Sequence, residues 1–250
     1  MSTETPDIIR TVFDGNIGIL REMLSDNPDL VFTKDADSRT PLHWAASFQN
    51  LDMVKLLLNP LQLSDGEKSG NFVVDVDEFL DDSKWTPLHI AASAGNLEIF
   101  RTIATHEPLP DINLKTSTGQ TCLHYAVSKN HPYLVEYMLK NLKASSRIKD
   151  NKGQLPIHRA AAIGSPQMIT LLLEVGKSPI DTTDNYGMTA LHYALAEGHG
   201  DLALQLVKLG ADWRKETGDH ETSFQVALND NVRSFFKKGL IEEGLVEEEY

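Results

Sequence analysis

A single cysteine, Cys122, stands in a chain of 250 residues. One thiol can build neither an intrachain disulfide nor a thiolate metal cluster, which excludes a disulfide scaffold and a structural zinc module. Basic charge is also scarce: 23 Lys and Arg face 36 Asp and Glu, for a formal charge of −13. A protein that grips nucleic acid or an anionic membrane with clustered Lys and Arg would have the opposite balance. No apolar run approaches the ~18 residues of a membrane-spanning helix, and Met1-Ser-Thr-Glu-Thr-Pro6 has neither the basic flank nor the apolar stretch of a signal peptide. A cytoplasmic and nuclear location is therefore expected. Strings of the phosphate-loop, nucleophile-elbow, dinucleotide-binding and zinc-protease types are missing too, so neither an enzyme nor a cofactor is expected.

What is present is a period. Thr40-Pro41-Leu42-His43, Thr86-Pro87-Leu88-His89, Thr121-Cys122-Leu123-His124, Leu155-Pro156-Ile157-His158 and Thr189-Ala190-Leu191-His192 are versions of one tetrad, with histidines 46, 35, 34 and 34 residues apart. Small pairs follow, such as Ala45-Ala46, Ala91-Ala92 and Ala160-Ala161. Threonine then proline opens a helix, since proline at the first turn loses no intrahelical bond. The alanines predict close packing of that helix, and apolar positions such as Val54, Leu57 and Leu58 predict a second one.

This pattern resembles the ankyrin repeat over nearly the whole chain. It implies an all-α solenoid of about seven helix-turn-helix repeats with short β-hairpin connections and a concave binding face, because one unit cannot bury both its helices alone. The expected organisation is a single domain over 1–240, with repeats at 5–36, 37–82, 83–117, 118–151, 152–185, 186–218 and 219–240. A mobile acidic insertion is expected at 60–82, and an acidic flexible tail at 241–250. Of the nine histidines, the five in the tetrad slot are expected to bridge backbone groups rather than bind metal, and His199 to be a structural residue of an interhelix turn.

The concave face predicts which side chains meet a partner. The residue before each tetrad gives Arg39, Trp85, Gln120, Gln154 and Met188. The residue after it gives Trp44, Ile90, Tyr125, Arg159 and Tyr193. The end of the first helix gives Phe13, Asp14, Ser47, Phe48, Ser93, Lys129, Ile163, Glu197, Asn229 and Asp230. Trp, Tyr and Phe are frequent here, as in interface hot spots, and the charges change from Arg39, Lys129 and Arg159 to Glu197 and Asp230, which would fix a partner's register.

Finer strings narrow the resemblance. Lys34-Asp-Ala-Asp-Ser-Arg-Thr-Pro-Leu-His-Trp44, Asp82-Ser-Lys-Trp-Thr-Pro87, Arg147-Ile-Lys-Asp150, His192-Tyr-Ala-Leu-Ala-Glu-Gly-His-Gly-Asp201 and Val232-Arg-Ser-Phe-Phe236 look like the gankyrin family, and more closely its fungal members, from about residue 5 to 238. An acidic solenoid with capped ends offers no obvious self-complementary patch, so a monomer is expected; the resemblance implies a non-catalytic chaperone for assembly of the proteasome regulatory particle. Its concave face would bind the C-terminal domain of one base ATPase subunit and hinder premature docking on the core particle. Glu197 matches the family's arginine-pairing acid, and Arg39, Trp44, Phe48 and Trp85 match the amino-terminal part of the groove. The animal members' L-x-C-x-E string is absent, because Leu195-Ala196-Glu197 has no cysteine, so the retinoblastoma-type partner does not carry over. The alternative is an ankyrin adaptor in a signalling or ubiquitin-ligase complex.

Overall fold

A computed structural model describes residues 7–60 and 72–247. The chain divides into two compact units, one up to Cys122 and one from Leu123. The first unit holds α1 (Ile8–Phe13), α2 (Ile17–Asp26), α3 (Pro41–Ser47), α4 (Leu51–Leu58), α5 (Pro87–Ala94) and α6 (Leu97–Ala104), with 3-10 turns at Pro28–Phe32 and Val76–Glu78. The second holds α7 (Cys122–Ser128), α8 (Pro132–Asn141), α9 (Pro156–Ala162), α10 (Pro166–Thr170, continued as a π-turn over Leu171–Val175), α11 (Ala190–Ala196), α12 (Gly200–Lys208) and α13 (Asp230–Glu242). The helices are short and paired, and their alanine pairs are fully buried, as at Ala45, Ala46, Ala160 and Ala161.

In each pair of the first unit, the second helix starts on a side-chain cap. The Asn16, Asn50 and Asn96 oxygens accept from the backbone N–H of Ile19, Met53 and Ile99 at 3.2, 3.1 and 3.2 Å. The turn before the cap needs one left-handed residue. Gly164 fills that place with φ +67, and a Cβ there would lie 2.5 Å from the His199 ring. His199 reaches across that glycine to bond the Ala162 carbonyl at 3.2 Å.

Tetrad histidines link successive repeats inside each unit. In His43, Nδ1 accepts the Thr40 N–H at 3.0 Å, so Nε2 carries the proton and donates to the Trp85 carbonyl at 3.0 Å. His89, His158 and His192 repeat the arrangement, giving to the carbonyls of Leu114, Thr182 and Lys215 at 3.0, 2.9 and 3.0 Å. The ring is neutral in this role. Burial pushes the pKa of all four below the ordinary value, to about 4 for His89.

Four features differ from the sequence expectation. The hairpin tips contain no strand among the described residues; each is a turn closed by a backbone bond such as Asp150 N–H to Gln154 O at 2.9 Å, too short for a ladder. In the last repeat, residues 222–229 form turns and bends, leaving α13 without a preceding first helix. Gln225 stands in the histidine slot, and its Oε1 accepts the Thr222 N–H at 2.8 Å. Helix α13 runs into the segment expected as a flexible tail, and Glu243 beyond it pairs with Lys208 at 2.7 Å. Finally, the expected acidic insertion lies partly outside the described residues, and the described part is packed: Val74, Val76, Phe79 and Asp81 are buried.

These histidines set a direction for stability against pH. Each stays neutral when folded and binds a proton near 6.5 when unfolded, so the stabilisation is complete above that pH and is lost as pH falls below it, for His89 on the way to about 4. The shift of His89 alone corresponds to about 3 kcal/mol. Urea unfolding should give a midpoint that drops steeply between pH 7 and 4.5; a flat profile would contradict neutral, carbonyl-bonded rings.

Candidate functional site

Four of the five tetrad hairpins begin with an aspartate eight residues before the histidine, at positions 35, 81, 150 and 184; before His124 the place is taken by Thr116. The Oδ1 of each aspartate accepts two backbone N–H groups of its own turn. For Asp150 these come from Lys152 and Gln154, both at 2.9 Å; for Asp184, from Tyr186 and Met188 at 2.9 and 3.0 Å. The second oxygen is thereby fixed in place, and a face side chain takes it. Asp35 Oδ2 accepts the Trp44 indole N–H at 2.8 Å, Asp81 Oδ2 the Arg39 Nε–H at 3.3 Å, Asp150 Oδ2 the Arg159 Nη2–H at 3.2 Å, and Asp184 Oδ2 the Tyr193 hydroxyl at 2.7 Å. Burial would raise the Asp35 and Asp184 carboxyls, but these donors together outweigh it and hold both below the usual carboxylate range.

The aspartates are the positioning residues that sequence reasoning missed. Their signal was available: in three repeats the acid stands nine residues before the side chain it holds, at 35 and 44, 150 and 159, and 184 and 193.

In the first unit the held Trp44 joins Phe13 and Phe48 in an aromatic cluster. Phe13 at the end of α1 lies 4.6 Å from the Trp44 ring and 5.1 Å from Phe48, and Trp44 stacks on Phe48 at 6.0 Å. Arg39 covers Trp44 with its guanidinium 5.1 Å from the ring. Phe13 and Phe48 remain 46% and 48% exposed, a large apolar area to leave in water. Ser47 beside them is exposed, while Trp85, Ile90 and Ser93 are half-buried, Trp85 packing 6.2 Å from the His89 ring. Asp14 is exposed and pairs with Arg10 at 3.1 Å.

The second unit carries a more polar set. Gln154 donates to the Tyr193 hydroxyl and to Asp184, so Gln154, Asp184 and Tyr193 form one network against the His158 ring. Buried beside Asp184, the Tyr193 hydroxyl has a raised pKa and stays a donor. Glu197, the C-cap of α11, and Ile163, the C-cap of α9, are exposed at their turns, as is Lys129 after α7; Tyr125 is half-buried. Asp230 departs from expectation. It is the first residue of α13, because the Asn229 side chain caps that helix through Val232 N–H at 3.0 Å, and it pairs with Arg233 at 2.6 Å rather than closing a first helix.

These surfaces can do packing and charge pairing. The remaining candidates for chemistry are occupied structurally: His199 packs on Gly164, and Cys122 is buried, with its thiol pKa pushed up by that burial.

Comparison with known proteins agrees with this geometry. A family model described as ankyrin repeats (3 copies) matches residues 61–150 and 138–217, and a single ankyrin repeat model matches 37–62. The probable 26S proteasome regulatory subunit p28 of Saccharomyces cerevisiae is 42% identical over 131 residues, which are 52% of this chain and 53% of that protein. The 26S proteasome non-ATPase regulatory subunit 10 of Dictyostelium discoideum is 30% identical over 101 residues, 40% of this chain and 38% of that one. The matches thus span about half or less of these relatives' length. Among solved structures, the ankyrin repeat domain of Bcl-3 covers 95% of this chain at 22% identity with a TM-score of 0.74, over 100% of its own length. The ankyrin repeat protein EF0377 covers 84%, at 26% identity and a TM-score of 0.67, over 99% of its length.

If the hairpin carboxylates position the face, Asp184→Ala should orphan two turn N–H groups and the Tyr193 hydroxyl and lower unfolding stability by about 2 kcal/mol. Removing the exposed Asp14 or Asp230 should leave the urea midpoint unchanged. Equal effects at all three sites would refute the positioning role.

Proposed function

The chain belongs to the ankyrin-repeat family, and from that premise we propose that it is a non-catalytic chaperone for assembly of the proteasome regulatory particle base. It binds the C-terminal domain of one base ATPase subunit and hinders premature docking on the core particle. The observation that carries this reading is the 42% identity to the yeast proteasome regulatory subunit, which also bears out the gankyrin resemblance. The side chains fit the task. An exposed aromatic cluster, Phe13, Trp44 and Phe48, offers the large, stiff area typical of hot spots, and Glu197 offers an exposed carboxylate for a basic residue of the partner. The wider binding set is Asp14, Arg39, Ser47, Trp85, Ile90, Ser93, Tyr125, Lys129, Arg159, Ile163 and Tyr193. Those whose polar ends are held by hairpin aspartates present rings and stems rather than free polar groups. Such binding needs preformed surfaces and no catalysis, and a cytoplasmic and nuclear monomer suits it.

Purification of the full chain from its native cell should recover a base ATPase subunit without mature core particle. Phe13→Ala with Phe48→Ala, or Glu197→Arg alone, should cut that recovery at least about tenfold with the circular dichroism spectrum unchanged. Undiminished recovery by both variants would remove the face assignment. Recovery of signalling or ubiquitin-ligase components without any ATPase would replace the chaperone with an adaptor.

A further inference from the structure

A second charged surface lies in the second unit, on the loops that follow α8 and α10. The chain carries a net charge of −13, yet residues 143–152 hold Lys143, Arg147, Lys149 and Lys152 against one acid, Asp150, which is buried and paired with Arg159 at 3.2 Å. The neighbouring loop adds Lys177 together with two acids, the half-buried Asp181 and the buried Asp184, which is bound to Tyr193. Arg147 donates through Nε and Nη2 to the Lys177 carbonyl at 3.1 and 2.9 Å, and Lys149 Nζ donates to the Thr183 carbonyl at 2.8 Å. A carbonyl orients the Arg147 guanidinium but does not neutralise it. All five basic residues are exposed, and none of the ion pairs among the described residues uses Lys143, Arg147, Lys152 or Lys177.

The fold does not require these charges. In the next repeat the same register is filled by Asp181, Thr183 and Tyr186 in place of Arg147, Lys149 and Lys152. Lys143 and Lys177 are held in left-handed backbone, φ +56 and +54, at the position where the loop after α12 has Gly210 at φ +100. Glycine adopts that conformation without strain and lysine does not. A helix C-terminus favours a nearby cation, which accounts in part for the two lysines but not for Arg147 or Lys152.

We propose that this basic patch docks an acidic peptide segment of a partner protein, independently of the aromatic face and of Glu197. A short acidic segment feels the local field within a Debye length of about 8 Å, whereas a long polyanion such as nucleic acid also meets the chain's overall negative charge. The charge of the patch therefore fits a local acidic strand or tail better than a duplex.

The test uses the full chain and a fluorescein-labelled, glutamate-rich peptide of about ten residues, followed by anisotropy at two salt concentrations. Saturable binding that weakens with salt is expected. The pair Lys143→Gly and Lys177→Gly should weaken it about tenfold or more, while the unfolding midpoint stays level or rises because the left-handed strain is relieved. Glu197→Arg should leave this binding unchanged, which separates it from the chaperone reading. The proposal is overturned if the wild-type chain does not bind the peptide, if the glycine pair binds it equally well, or if single-stranded DNA of matched charge binds more tightly.

Discussion

The divided use of the hairpin carboxylates is the constraint on which the surface chemistry depends. One oxygen of each aspartate is spent on two backbone N–H groups of its turn, so its partner oxygen points in a fixed direction. Trp44, Arg39, Arg159 and Tyr193 are all aimed by that second oxygen. The tetrad histidines supply the complementary constraint, since a neutral ring joins each helix start to the carbonyl of the following hairpin. Side chains on short, separately capped helices thereby acquire the preorganisation that recognition needs, without long elements or a large core layer.

This arrangement also explains why the chain is rich in chemistry-bearing residue types and still reads as a binder. Histidine, aspartate and tyrosine occur in hydrogen-bonded sets that resemble catalytic constellations on paper. Here the imidazoles sit against backbone groups with lowered pKa values, and the Tyr193 hydroxyl is bound to a carboxylate. Their geometry serves rigidity. The exposed groups on which the proposed binding rests are the rings of Phe13 and Phe48, the Glu197 carboxylate, and the cations Lys143, Arg147, Lys152 and Lys177.

Most of the fold was legible because the period is carried by residues with few alternatives. Proline after threonine starts a helix, an alanine pair demands close approach, and histidine spaced by 34 residues needs a carbonyl one repeat away. The site was less legible. Trp44 and Tyr193 read as aromatics of uncertain direction because the bond that orients each is made to an acid nine residues upstream, and local composition does not reveal which oxygen is free. Asp230 was misplaced because residues 222–229 keep the spacing of a first helix while forming turns. Asp81 counts toward an acidic insertion by composition, yet its position eight before His89 makes it a buried hairpin residue.

Hydrogen–deuterium exchange of the full chain, with and without the purified C-terminal domain of the candidate base ATPase, tests the central claim most directly. Slowed exchange should appear at the ends of α1 and α3, and in the turns after α9 and α11, where Phe13, Phe48, Ile163 and Glu197 lie. Protection confined to the second helices α2, α4, α8 and α12, or none at a saturating concentration of the domain, would contradict it.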